Sequence, residues 1–247
     1  METESNRIIF NVQQRYTDLA ETASACCTPN SGFAECSPGY SEDQITGLPE
    51  TVVGASAGCG NPNIIGVLQP GDNVVDFGSG GGIDCFIAAK AVGSSGSVIG
   101  IDMTPAMLAL ANSNKEKLGL DNVSFKQALI SKTGLASNSK DVIISNCVIN
   151  LTPDKSSVFK EAHRILRPGG RFHICDIVIT NALPEEALTD ENWCHCVSGA
   201  EIKSTYVQKI YDAGFTKVDV ISEETYKPND DQAWMASVMS ISIIAIA

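Results

Sequence analysis

A chain of 247 residues, 43% of them apolar, is long enough to bury one substantial core, and α/β chains of this length commonly form one main domain with an appendage. Its 17 Lys and Arg stand against 29 Asp and Glu, a net charge of -12 with no basic cluster or aromatic-interleaved cationic stripe, which argues against nucleic acid as a partner. The start, Met1-Glu2-Thr3-Glu4, lacks the charged-then-apolar pattern of a secretion signal, and the longest apolar run, 238–247, falls short of the ~20 residues that span a bilayer; a cytoplasmic chain with no membrane partner is expected.

Residues 1–70 read as an irregular cap, in which a short amphipathic stretch at 8–19 precedes a Ser/Gly/Pro-punctuated segment carrying Cys26, Cys27, Cys36 and Cys59. Across 71–247, short β-rich runs alternate with helical patterns, the rhythm of crossover units around a parallel sheet. Strands are predicted at 73–76, 97–102, 123–127, 141–145 and 170–177. Helices are predicted at 84–92 and at 105–118, the latter with Thr104 as cap and proline at its first position. A third, at 153–166, would be capped by Thr152 and stopped by Pro168-Gly169-Gly170. Residues 181–204 interrupt the rhythm as an insertion bearing Trp193, Cys194, His195 and Cys196; a helix near 202–213 and β-rich runs at 217–223 and 234–245 then close the chain as a hairpin.

Nine cysteines are many for a reducing compartment, where such a pattern more often signals ligation or catalysis than a disulfide scaffold. Zinc is poorly supported, because no C-x-x-C pair occurs and His163, His173 and His195 lack paired-ligand spacing.

The segment Val74-Val75-Asp76-Phe77-Gly78-Ser79-Gly80-Gly81-Gly82 is a strand ending in an acid, then glycines at alternate positions, then a helix. Glycines let the backbone take positive φ and lie directly against a ligand. The third glycine of the dinucleotide pattern would fall at Ile83, which disfavours hydride chemistry. A loop preceded by Asp76 suits a ligand with a nearby cation, such as the ammonium and sulfonium of S-adenosylmethionine, whereas it would repel a pyrophosphate. Asp102, ending the second strand, stands where an acid accepts hydrogen bonds from both ribose hydroxyls.

Over about 71–177 the chain resembles the class I S-adenosylmethionine-dependent methyltransferases. More narrowly, Gly58-Cys59-Gly60, Val75-Asp76-Phe77-Gly78-Ser79-Gly80, Gly100-Ile101-Asp102-Met103-Thr104, Ser145-Asn146-Cys147-Val148-Ile149-Asn150 and Cys196-Val197-Ser198-Gly199-Ala200 resemble the arsenite methyltransferase family. That resemblance implies an α/β fold with a Rossmann-like class I methyltransferase sheet, mostly parallel with an antiparallel C-terminal hairpin strand, plus an N-terminal cap and an insertion after the fifth strand. It implies S-adenosylmethionine contacts from Asp76, Gly78, Ser79, Gly80, Gly82, Asp84, Asp102, Met103, Ile130 and Asn146.

In that family three thiolates hold trivalent arsenic, and the matching positions are Cys59, Cys147 and Cys196. Arsenic(III) is a soft centre that takes three sulfurs in a pyramid and keeps a lone pair on the open apex, a nucleophile that needs no general base. The resemblance also gives Cys26 a thiol-exchange role with Cys59, which a reductant such as glutathione or a thioredoxin-type system would reset. The expected substrates are arsenite as a thiol complex and methylarsenite, in arsenic detoxification, and the expected state is a monomer. Cys85 and Cys175 read as small buried hydrophobes, Cys36 has no counterpart, and Cys194 competes with Cys196 as a ligand, though Gly199-Ala200 favours the latter. In one departure, Ala128-Leu129-Ile130-Ser131 has serine where the family has a carboxylate. Two rivals are a methyltransferase of an organic acceptor such as a quinone precursor, and a non-catalytic arsenite-binding sensor or sequestering protein.

Overall fold

The structure, a computed structural model, describes residues 2–22, 39–226 and 232–247; Cys26, Cys27 and Cys36 lie outside them. Strands β1 (Asn73–Phe77), β2 (Ser97–Asp102), β3 (Val123–Gln127), β4 (Lys140–Asn146) and β5 (Leu166–Ile179) pair in parallel in the order β3-β2-β1-β4-β5. The short β6 (Glu201–Ile202) adds to β5 in parallel, while β8 (Val238–Ile246) inserts antiparallel between β5 and β7 (Lys217–Thr225). The mostly parallel sheet with its closing hairpin is therefore as the sequence predicts.

Alternate side chains of the central strands leave opposite faces of the sheet. Val75, Phe77 and Ile143 join one core with the helices α7 (Lys155–Ile165) and α9 (Lys203–Asp212). Val74, Val98 and Ile144 join the other with α5 (Ile83–Val92). Both faces being covered, β1 and β4 are buried along nearly their whole length, as befits a parallel centre.

Several boundaries differ from expectation. Residues 2–22 form one helix, α1, of 21 residues, not a short stretch in an irregular segment. Its apolar positions Ile8, Val12 and Leu19 are buried at helical spacing, and the polar opening turns gave no periodicity to detect. Helix α7 is capped by Asp154, whose carboxylate accepts the Ser157 N–H at 3.2 Å, while Thr152 closes a 3₁₀ turn at Ile149–Leu151. Strand β5 already begins at Leu166, with Pro168-Gly169-Gly170 inside it at an irregular register against β4. Residues Ala233–Ser237 form a 3₁₀ turn, so the last strand starts later than the β-rich composition implied. Thr104 precedes helix α6 (Pro105–Leu118) but makes no side-chain cap; its N–H instead donates to Asp102.

The register puts the loop after Phe77 level with Ile101 and Ser145, so the carboxyl ends of β1, β2 and β4 open on one side of the sheet. Over that edge lie α1, the short helix α3 (Glu50–Gly54) and, packed against α1, the insertion helix α8 (Asp190–Cys194); of the short helices α2 (Glu42–Ile45) and α4 (Pro62–Ile65), α4 packs on the sheet against β4, β5 and β8.

Candidate functional site

Open parallel sheets hold ligands where their strands end, and a cavity lies there, lined among others by Gly78, Ser79, Gly80, Asp84, Asp102, Met103, Ile130, Ser131, Asn146 and Cys147. Gly78 has a φ of 74° and Gly80 of 49°, and the Gly78 and Ser79 N–H groups both donate to the Ile101 carbonyl at 2.8 and 3.0 Å. The Asp102 carboxylate braces the loop, one oxygen accepting the Gly80 N–H at 2.9 Å and the other the Thr104 N–H at 2.8 Å. Each oxygen keeps a lone pair for a further donor, as a pair of vicinal hydroxyls would supply. The buried Ser79 hydroxyl has no partner and packs toward Gly100 of β2, where an added Cβ would lie 2.7 Å from it.

Two of the expected contacts stand elsewhere. Asp76 is buried behind the loop and accepts the Cys85 thiol at 3.2 Å, outside the cavity lining; burial, then the charge of Asp84, pushes its carboxyl up. Gly82 is the left-handed residue that opens α5, facing the rings of Phe86 and Phe125. Asp84, also expected as a contact, does line the cavity alongside Asp102, and burial raises it to about 6 against the hydrogen bonds that favour its charge. Tyr40 donates to it at 2.8 Å and Asn63 at 2.6 Å. Neither Tyr40 nor Asn63 stood out in the sequence, because both lie in short punctuated segments without periodicity.

Of the nine cysteines, the described ones divide by surroundings. Cys59 and Cys147 are joined as a disulfide, with Cα atoms 5.9 Å apart across 88 residues of chain. The buried Cys196 donates its thiol to the Cys147 carbonyl at 2.6 Å, and burial, then the charge of Asp176, pushes that thiol up. All three belong to one apolar cluster with Ile8, Val12, Cys194 and both tryptophans, Trp193 and Trp234. With Cys59 and Cys147 joined, no group of three or more His, Cys, Asp or Glu among the described residues is set to hold a metal ion. Cys147 and Cys196 are two of only three non-glycine residues with positive φ among the described ones, at 57° and 65°. Such backbone is held only where its surroundings over-determine it.

Those surroundings explain the glycines of the motifs. A Cβ on Gly58 would lie 2.5 Å from the Asn146 amide carbon, one on Gly60 2.9 Å from the Cys175 sulfur, and one on Gly78 2.6 Å from Val148 Cβ. A Cβ on Gly199 would run into the Asn150 carbonyl oxygen. Three separate loops, bearing Cys59, the glycine turn and Cys196, thus abut the single segment Asn146–Asn150 at distances only glycine permits. Asn150 is itself pinned, its amide donating to Asp176 at 2.9 Å and to the Ile177 carbonyl at 2.5 Å. Asp176, raised by burial to about 6, also accepts the Tyr206 hydroxyl at 2.8 Å.

Helix α1 roofs the cavity with Ile9, Val12 and Tyr16 and is tied to α8 by Arg7, which donates to Asp190 at 2.7 Å. Cys85 and Cys175 are wholly buried, and burial pushes Cys175 up to about 12, so both behave as inert core. Cys194 is partly exposed on α8.

A glycine turn braced by an acid at the end of β2, on this sheet order, defines a class I methyltransferase fold, and residues 68–222 match the family described as "Methyltransferase domain". The chain is 35% identical to an arsenic(III) S-adenosylmethionine methyltransferase from Chlamydomonas reinhardtii, covering 83% of this chain and 71% of that one with a TM-score of 0.73. It is also 36% identical to an arsenite methyltransferase of Halobacterium salinarum over 86% of its length, and 37% identical to one of Aquipseudomonas alcaligenes over 89%. The chain belongs to the arsenite methyltransferase family. It spans 58% and 63% of the length of those two curated relatives.

Proposed function

We propose that the protein transfers a methyl group from S-adenosylmethionine to trivalent arsenic held by Cys59, Cys147 and Cys196, with arsenite and methylarsenite as substrates, in arsenic detoxification. The observation that carries this is the meeting of three thiol-bearing loops, remote in sequence, beside a cavity whose wall includes both the glycine turn and Cys147. The relatives named above act on the same chemistry, and the motif cysteines coincide with the converging ones.

When bound, S-adenosylmethionine supplies an electrophilic methyl on a sulfonium. The free lone pairs of Asp102 suit its ribose hydroxyls, Ile130 its adenine, and the acidic edge of Asp84, in place of Asp76, its ammonium. The three sulfurs hold arsenic with its lone pair outward, so the protein's contribution is proximity and orientation. Forming the arsenic–carbon bond consumes that lone pair, and thiols must return arsenic to the trivalent state. We assign that reduction to Cys26 exchanging with Cys59, reset by glutathione or a thioredoxin-type system. The disulfide between Cys59 and Cys147 is the oxidised form from which arsenic binding must start by reduction. Residues 1–70 serve as a cap closing on the 71–247 domain, with the 181–204 insertion supplying Cys196; we take the chain to act as a cytoplasmic monomer.

Chromatographic speciation of arsenic after incubation with arsenite, S-adenosylmethionine and a thiol tests this. Methylated arsenic is expected, lost in Cys147→Ser while S-adenosylhomocysteine affinity stays within about threefold, under 1 kcal/mol. Wild-type turnover by that variant overturns the ligand assignment, and arsenite binding without S-adenosylhomocysteine formation identifies a sequestering protein.

A further inference from the structure

The side chain of Asn146 does not face the cavity alone. Its Oδ1 accepts the Cys59 N–H at 3.0 Å, and its Nδ2 donates to the Gly60 carbonyl at 2.7 Å and to the Tyr40 hydroxyl at 2.9 Å. The Tyr40 hydroxyl in turn donates to Asp84 Oδ1 at 2.8 Å, and Asp84 Oδ2 stands 3.4 Å from the same Asn146 nitrogen. A chain of hydrogen bonds therefore runs from the carboxylate on the cavity wall to the backbone of the first cysteine loop, through two side chains that touch no thiol in hydrogen bonds.

The direction of each bond fixes the next. An ionised carboxylate accepts only, so it takes the Tyr40 O–H; that leaves the phenol oxygen as an acceptor for the Asn146 NH₂, and the amide oxygen is then left facing Cys59. A flipped amide would set its oxygen against the Gly60 carbonyl and its NH₂ against the Cys59 N–H, losing both bonds to the loop. A cation seated on Asp84 fixes the position of that carboxylate against Tyr40, Asn63 and Asn146, and so holds the Cys59 loop in the arrangement that brings it to Cys147.

We propose that Tyr40 and Asn146 are positioning residues that couple the two substrate sites: occupation of the Asp84 edge by the ammonium of the methyl donor orders the Cys59 loop and tightens arsenic binding. This rests on the arsenic assignment given above. By reciprocity, arsenic binding tightens donor binding by the same factor. The coupling discourages capture of arsenic by a protein that holds no methyl donor.

The test uses reduced full-length protein, sodium arsenite as the probe and S-adenosylhomocysteine as an unreactive occupant of the donor site, read by the fluorescence of Trp193 and Trp234. Arsenite should bind at least about fivefold more tightly with the donor site filled, within the usual range for coupled sites. Tyr40→Phe, which keeps the ring and removes the hydroxyl, should bring that ratio close to one while its arsenite affinity without S-adenosylhomocysteine stays near wild type. A ratio of one in the wild-type protein overturns the proposal without need of any variant, and so does an undiminished ratio in Tyr40→Phe. Failure to bind arsenite under either condition instead overturns the functional assignment on which the coupling depends.

Discussion

Gly58→Ala isolates the contact that brings the first cysteine loop to its place. Gly58 is not in the left-handed region, so alanine strains no backbone there, and the whole effect comes from one added methyl carbon. That carbon would sit 2.5 Å from the Asn146 amide carbon and 2.6 Å from its oxygen, against an ordinary contact that begins at 3.4 Å. Loop and amide must separate by about 0.9 Å, which carries the 2.7 Å bond to Gly60 and the 3.0 Å bond from Cys59 to about 3.6 and 3.9 Å, beyond hydrogen-bonding range. Two bonds at about 1 kcal/mol each give about 2 kcal/mol, or some 30-fold in affinity. Titration of the reduced variant with arsenite, followed by tryptophan fluorescence, should show that loss, with a matching fall in methylation rate at subsaturating arsenite. An arsenite affinity within about threefold of wild type would refute the view that this close approach positions Cys59.

Arsenite binding should be absent while the Cys59–Cys147 disulfide is intact and restored by reduction, since the bonded sulfurs have no thiolate to offer; equal binding by the oxidised protein would count against both as ligands. Tyr206→Phe removes a donor from the buried Asp176 and should lower unfolding stability by about 2 kcal/mol in urea titrations, a change under about 0.5 kcal/mol contradicting its role as an anchor of Asn150. His173 is wholly buried in β5 against Gly66, and burial, aided by Arg171 and opposed by the Pro62 backbone, lowers it from 6.5 to about 4. Because the folded value is the lower one, the neutral ring's contribution is full above pH 6.5 and is lost as the pH falls toward 4, by about 3 kcal/mol. The stability difference between His173→Leu and wild type should shift by that amount in the variant's favour from pH 7 to pH 4; parallel pH profiles would show that His173 does not carry it.

Local patterning was enough for the sheet. Strands β2 and β3 and helix α6 fall at their predicted bounds, because apolar runs between glycine and proline breaks carry their own period. The glycine turn and Asp102 were legible for the same reason, being contiguous. Helix α1 was legible only in part, since its first turns have no apolar face, and the cap of α7 was misplaced by two residues because Thr152 and Asp154 are both good capping residues and only the path of the chain selects one.

What the amino-acid order decided by itself was the α/β layout, the ligand loop, and which cysteines sit in motifs distinct from the core. Which of Asp76 and Asp84 faces the cavity was decided in three dimensions: Asp76, next to last in β1, points back toward Cys85, while Asp84, in the first turn of α5, reaches the wall. The same holds for the glycines beside the cysteines. Each is demanded by a neighbour in another part of the chain, Asn146 for Gly58, Cys175 for Gly60 and Asn150 for Gly199, and a close approach between distant segments leaves no periodic trace in any one of them.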